Sequence, residues 1–272
     1  MDKSSEKYLH GFSSEEQARL HLQNDILGPH IYEFIRLDQV SRMLEIGCGT
    51  GAQMRYVMQN YPQVHITGID LSAEQLSSAR VHLEAETAFT NRYALRQGQG
   101  NELPFATASF DCALMVWVLE HVQNPEALIA ETHRVISPGG WLYLTEVFNN
   151  SFQHYPQSPA LEDFWSKMGE FQEFLGGNGN VGIRLGAMCA KLEHTTLETR
   201  AKTLYFDAAF PRQRTEIWNY WIDLTESASR QMIAAGKISS SYWQKVRREL
   251  AQLRDDPSSA FYYSFIQCRL QR

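Results

Sequence analysis

The 272-residue chain has no long uninterrupted apolar run; its richest stretch, 110–119, is broken by Asp111 and is too short to cross a bilayer. Met1-Asp2-Lys3-Ser4-Ser5 lacks the apolar core of a secretory leader, so a cytoplasmic location is expected. Cysteine is sparse. Cys48, Cys112, Cys189 and Cys268 are scattered, and no two have zinc or redox spacing. That excludes a disulfide framework, fits reduced thiols, and predicts no metal. Basic charge is also in deficit, with 25 Lys and Arg against 31 Asp and Glu and a formal net charge of −6. A nucleic-acid partner needs a cationic stripe to neutralise phosphates. Here the densest basic cluster, Lys245 with Arg247 and Arg248, is followed by Glu249, Asp255 and Asp256. It reads as the solvated face of a helix, and no nucleic-acid partner is expected. Nothing in the composition signals an oligomeric state.

What is present suits an α/β domain with a subdomain: 43% hydrophobic and 21% charged residues supply ample core. Ser13 and Glu16 have capping-box spacing and open a helix that Gly28-Pro29 is expected to stop, with a second short helix over 30–37. From Ser41 a β-α alternation begins. Strands are expected at 43–46, 64–69, 93–97, 111–118 and 141–147, separated by helices over 54–61, 73–86 and 124–136. The run 111–118 is almost wholly apolar, as in a parallel strand covered on both faces. Such alternation predicts a doubly wound α/β sheet. After 148 come a loop (149–159), a helix (161–175), a flexible glycine-rich connector (176–180) and a helix (182–194). Late strands at 197–206 and 261–270 bracket a helical stretch over 211–254.

The strongest local signal is Leu44-Glu45-Ile46-Gly47-Cys48-Gly49-Thr50-Gly51, between an expected strand and helix. Glycines there permit a tight turn and close approach of backbone to a ligand at a helix N-terminus. The pattern alone is ambiguous, because Gly47-x-Gly49-x-x-Ala52 also satisfies the dinucleotide fingerprint. Glu45 bears on the choice. A carboxylate two residues before the first glycine repels a pyrophosphate and attracts a ligand carrying an ammonium group and a sulfonium. Asp70, at the end of the next strand, has the placing of a carboxylate that accepts from both ribose hydroxyls; it supports a nucleoside without choosing one.

A third feature is Gln99-Gly100-Asn101-Glu102-Leu103-Pro104-Phe105, followed by Ser109-Phe110-Asp111. With 44–51, 68–71, Leu119-Glu120-His121 and 134–140 in the same order, the chain resembles class I S-adenosylmethionine-dependent methyltransferases of the ubiquinone/menaquinone small-molecule type. The resemblance spans 40–148. It implies a Rossmann-like doubly wound sheet of seven strands, mostly parallel with the last antiparallel, plus helical lid insertions, and S-adenosyl-L-methionine as cofactor. It further implies that Glu45, Gly47 and Gly49 line the methionine moiety, that Asp70 holds the ribose, and that Leu71 packs beside the adenine. Gln99 and Gly100 would edge the adenine, Val116 and Trp117 would approach the sulfonium, and Tyr8 would close over the cofactor. One departure stands out: Gln99 occupies a position usually held by aspartate, and a neutral carbonyl makes the weaker acceptor.

Four segments are expected: an N-terminal helical cap (1–38), the cofactor-binding core (39–148), a helical lid and linker (149–195), and the last two strands with a helical insertion (196–272, insertion 211–254). Methyl transfer is an in-line displacement, accelerated largely by alignment and needing a base only where the acceptor sheds a proton. His121, after the fourth strand, is the candidate for base or acceptor-orienting group, against an equally weighted reading as a hydrogen-bonded structural histidine. Glu120, Glu146, His154 and Tyr155 are lesser candidates. Phe164, Trp165, Phe171, Phe174, Trp218, Tyr220, Trp221, Tyr242 and Trp243 in the lid segments suit an apolar or aromatic small-molecule acceptor, about half of them serving only to dock helices. Competing readings are an NAD-dependent oxidoreductase and a methyltransferase-like binding protein without turnover.

Overall fold

The computed structural model describes residues 9–10 and 14–272. Its frame is one sheet. The strands are β1 (Arg42–Ile46), β2 (His65–Asp70), β3 (Tyr93–Gln97), β4 (Phe110–Val116), β5 (Ile136–Val147), β6 (Gln153–Tyr155), β7 (Thr196–Phe206) and β8 (Ala260–Gln271). The path runs β3-β2-β1-β4-β5-β8, parallel up to β5 and antiparallel between β5 and β8, with β7 on the far side of β8. This is the mostly parallel sheet expected, with an eighth, three-residue strand added. Strand β6 pairs antiparallel with Ala260–Tyr262, resuming the path of β5 along β8 after a short interruption. It arises in the 149–159 stretch expected to be loop.

Both faces of the sheet are covered. Met43, on β1, belongs to a core shared with α1 (Ser14–Tyr32), α2 (Ala52–Asn60), α3 (Ala73–Glu84) and the lid helices α5 (Pro159–Phe174), α7 (Pro211–Ala234) and α8 (Ser240–Asp255). Its neighbours Leu44 and Ile46 face a second core with α4 (Pro125–Val135) and α6 (Leu185–Cys189). Successive strand residues point to opposite faces, so a strand buried on both sides reads as a continuous apolar run.

Helix starts follow the sequence. Ser72, Asn124, Ser158 and Ser239 each accept from a backbone N–H in the first turn of α3, α4, α5 and α8. The Gly28-Pro29 stop does not operate, because α1 continues to Tyr32 through Pro29. Proline in the last turn removes only one helical bond. Ile31 is fully buried, and Tyr32 donates to Asn24 Oδ1 and stacks on Tyr56 at 3.6 Å, which holds that turn. Pro138-Gly139-Gly140, ahead of the strand expected at 141–147, lies inside β5 as a bulge, marked by a register shift between Phe110 and Cys112. The helix expected over 182–194 is shorter, a 3-10 turn (Val181–Arg184) followed by α6.

The 176–180 segment is a packed strap. Asn178 N–H donates to the Glu120 carbonyl at 2.7 Å, and the Gly179 carbonyl accepts from Asn149 N–H at 2.8 Å. A Cβ on Gly177 would fall 2.4 Å from the Glu120 carbonyl oxygen, so glycine is there for close approach rather than for flexibility. Among the described residues no helix is long and apolar enough to cross a membrane.

Candidate active site

The turn after β1 is built from glycines with left-handed backbone: Gly47, Gly49 and Gly51 have φ of 67°, 50° and 78°. At Gly47 a Cβ would also fall 2.6 Å from a Val118 methyl, so this turn and the one after β4 touch backbone to side chain. The two turns leave a cavity of about 340 Å³ at the carboxyl ends of the strands, where ligands sit in open α/β sheets.

Eight of the eleven candidate residues meet on its wall: Gly47, Gly49, Asp70, Leu71, Gly100, Val116, Trp117 and His121. Asp70 organises the rim. Its Oδ2 accepts from Gly49 N–H and its Oδ1 from Ser72 N–H, both at 2.9 Å. Burial pushes its carboxyl up from the usual range, and those N–H groups oppose the shift. Ser72 caps α3, so Asp70 is free of that duty. Leu71 is 56% exposed, an apolar shelf with no core function.

Three candidates fall elsewhere. Glu45 is buried and does not reach the wall; its Oε2 has no hydrogen-bond partner. Burial first, and the nearby Asp70 carboxylate second, hold its carboxyl well above the ordinary range. Gln99 is exposed and off the wall, whereas its neighbour Gly100 is close-packed on it, where a Cβ would fall 2.5 Å from Leu128 Cδ1. Tyr8 lies outside the described residues.

Trp117, directly after β4, has φ of 55°, a strained conformation for a bulky side chain. The chain then enters a 3-10 turn (Leu119–His121) that Glu146 holds: its Oε1 accepts from the N–H groups of Val118 and Leu119 at 2.9 and 2.7 Å. Glu146 is fully buried, with its carboxyl pushed up to about 8 by burial and by Glu120. It fastens the turn rather than facing a reactant. Glu120 and His121 do face the cavity. Glu120 Oε2 accepts from Gln172 Nε2 at 2.7 Å, and Oε1 lies 3.7 Å from His121 Nε2.

Beyond these turns the wall is made by the lid. Of the nine lid aromatics only Trp165, Tyr220 and Trp221 line the cavity, joined by Met168, Leu224 and Tyr263. Trp218 and Trp243 are buried in the core, and Phe174 is 70% exposed. His154 and Tyr155 pair along β8 and do not line it. The N-terminal cap supplies His10, Arg19, Leu20 and Gln23. Arg19 is committed to Glu16 through two bonds at 2.8 and 2.6 Å and reaches Tyr220 Oη at 3.3 Å. Burial, then Arg19 and His121, press His10 well below its ordinary value. Sequence reasoning missed Arg19, Gln75, Thr50, Asn149 and Gln172 on this wall; their types carry no signal until the segments meet. Among the described residues no group of three or more His, Cys, Asp or Glu is arranged to hold a metal.

A glycine-lined crest with a carboxylate at the end of the next strand, roofed by helical segments, has the arrangement of a Rossmann-like ligand site. Residues 44–144 match the methyltransferase domain family. Over 110 residues the chain is 33% identical to ubiquinone biosynthesis O-methyltransferase of Pseudomonas aeruginosa, covering 40% of this chain and 45% of that enzyme. Over 104 residues it is 36% identical to demethylmenaquinone methyltransferase of Tropheryma whipplei, covering 38% and 41%. The matched stretch thus spans under half the length of these relatives. In fold it is similar to phosphoethanolamine N-methyltransferase 2 of Haemonchus contortus, solved with S-adenosyl-L-methionine: TM-score 0.56 at 17% identity, over 94% of this chain and 57% of that one. Residues 44–144 are thus similar in sequence to a methyltransferase domain, and the chain around them shares the fold of a solved methyltransferase.

Proposed function

We propose that the protein transfers the methyl group of S-adenosyl-L-methionine to an oxygen, nitrogen or carbon atom of a small apolar or aromatic molecule, by in-line displacement. The supporting observation is one cavity that joins two unlike halves. On the core side are the glycine turn, Asp70, Leu71 and Gly100, with the unpartnered Glu45 oxygen beneath; on the lid side are Trp165, Met168, Tyr220, Trp221 and Tyr263.

The residues present fit the cofactor. The glycine turn admits it without side-chain obstruction, Asp70 keeps lone pairs for the ribose hydroxyls, and Leu71 offers a flat apolar contact to the adenine. Glu45 lies behind the turn without reaching the wall; burial and Asp70 raise its carboxyl, and a bound ammonium would favour its charged form, which a pyrophosphate of NAD would not. Bound there, the cofactor supplies an electrophilic methyl on a cationic sulfur. Trp165, Met168, Tyr220, Trp221 and Tyr263 would hold an acceptor with its lone pair toward that methyl. The chain's own task is to align the two and exclude water. Where the attacking atom carries a proton, His121 receives it, on a turn that Glu146 and the 176–180 strap hold still.

The cap (1–38), core (39–148), lid (149–195) and closing strands with insertion (196–272) form the working division, with cap and insertion roofing the core. The four cysteines are free thiols, which supports a cytoplasmic location. The direct test is methyl transfer from labelled cofactor to a panel of phenols, amines and carbon acids. Labelled product that disappears in Asp70→Ala supports the reading. Binding of NAD in place of S-adenosylhomocysteine defeats it.

A further inference from the structure

The rim beside Asp70 carries two polar side chains that folding does not explain. Gln75, in the first turn of α3, is 3% exposed, lies on the cavity wall, and its Oε1 has no hydrogen-bond partner. Thr50, in the glycine turn, is 2% exposed, lies on the same wall, and its Oγ1 is likewise unpartnered. Packing does not require either oxygen. Leu76, Ala79 and Leu83 already form the buried face of α3, and the cap of that helix is Ser72, whose Oγ accepts from Gln75 N–H at 3.2 Å. A buried amide oxygen without a partner weakens the protein that carries it, so a ligand that satisfies it gains what folding forgoes.

Asp70 has one acceptor site left on each oxygen, because Gly49 N–H and Ser72 N–H already occupy the others, so further acceptors beside it would strengthen the hold on a sugar diol. We infer that Gln75 and Thr50 complete the grip on the cofactor's ribose, with Gln75 Oε1 accepting from the 2′-hydroxyl and Thr50 Oγ1 acting beside Asp70. The inference rests on the cofactor reading above. It adds α3 and the glycine turn to the polar recognition at this rim, whereas Gln99, the residue implied at the adenine edge, stands exposed and away from the wall.

Calorimetry on the whole chain with S-adenosylhomocysteine and its 2′-deoxyribose analogue tests this. Gln75→Leu keeps the volume and removes the oxygen. It should weaken S-adenosylhomocysteine about tenfold, the usual scale of one lost hydrogen bond. It should also shrink the preference for the ribose form, and leave the thermal midpoint of the free protein unchanged or higher. Thr50→Val, which also keeps its volume, should weaken binding in the same direction and stands in if Gln75→Leu misfolds. Unchanged affinity in both variants, or weaker binding with the ribose preference intact, overturns the inference alone. A wild-type chain that binds no S-adenosylhomocysteine overturns the cofactor reading and this inference together.

Discussion

Asp70 does two things with one carboxylate. It ties Gly49 and Ser72 together, and it presents its remaining lone pairs to the cavity. Asp70→Ala should therefore cost about 1–3 kcal/mol in cofactor binding, the range for stranding hydrogen-bonding groups, and some rim order with it. Asp70→Asn, which keeps one acceptor, should fall between; calorimetry with S-adenosylhomocysteine reads both. Glu45 predicts a pH effect. Burial and Asp70 raise its carboxyl, whereas a bound ammonium stabilises the charged form. Binding should release a proton, and affinity should fall as pH drops through the carboxyl's value in the free protein. Calorimetry in two buffers of different ionisation enthalpy measures that release, and Glu45→Gln should abolish it. At this scale the sequence was legible where a residue type has few other reasons to occur, as with Gly47 or Asp70. It was opaque for glutamines: Gln99 matched a motif position yet points away from the cavity, whereas Gln75 matched nothing and lines it. Only the path of the backbone decides between them.

The element that most constrains the chemistry is the turn after β4. Glu146 holds it from below and the 176–180 strap from above, so Glu120 and His121 have little freedom. Gly177→Ala would drive a methyl into the Glu120 carbonyl and should destabilise the fold by about 1–3 kcal/mol, as overpacking does, measurable by urea unfolding. Glu146 has a folded-state value of about 8, above its unfolded value. The folded protein thus holds an extra proton between roughly 4.5 and 8, and stability declines as pH rises across that window. Glu146→Gln, which keeps the accepting carbonyl, should flatten the decline; an unchanged slope in urea titrations at pH 6 and 9 would contradict this. The strands from β1 to β5 and the Asn124 start of α4 were readable because their signals are local, whereas β6 and the Ser158 and Ser239 caps were not read. The strap was not: a glycine-rich run looks flexible until a carbonyl is found 2.4 Å from where a Cβ would stand.

Across the molecule, the cap and the α7 insertion behave as one roof. Arg19 and Glu16 form an ion pair whose side chains are 5% and 1% exposed, and Ser227 on α7 donates to Glu16 at 2.7 Å. Removing one partner of such a pair strands a buried charge, so Arg19→Ala should lower stability by about 3–5 kcal/mol, seen as a fall in thermal midpoint. The core fold from β1 to β5 was legible, because alternating apolar strands and amphipathic helices leave few arrangements. The roof was not, since nothing local says that residue 19 meets residue 220. That is also why only three of nine lid aromatics face the cavity, most of the others packing in the core and Phe174 standing exposed. The central claim is that S-adenosylmethionine binds across the glycine crest with its sugar at Asp70. Diffraction from crystals soaked with S-adenosylhomocysteine tests it most directly. Ribose hydroxyls within hydrogen-bond distance of Asp70 and the sulfur facing Trp117 and His121 are the predicted result; a ligand bound elsewhere, or a bare crest at saturating ligand, would contradict it.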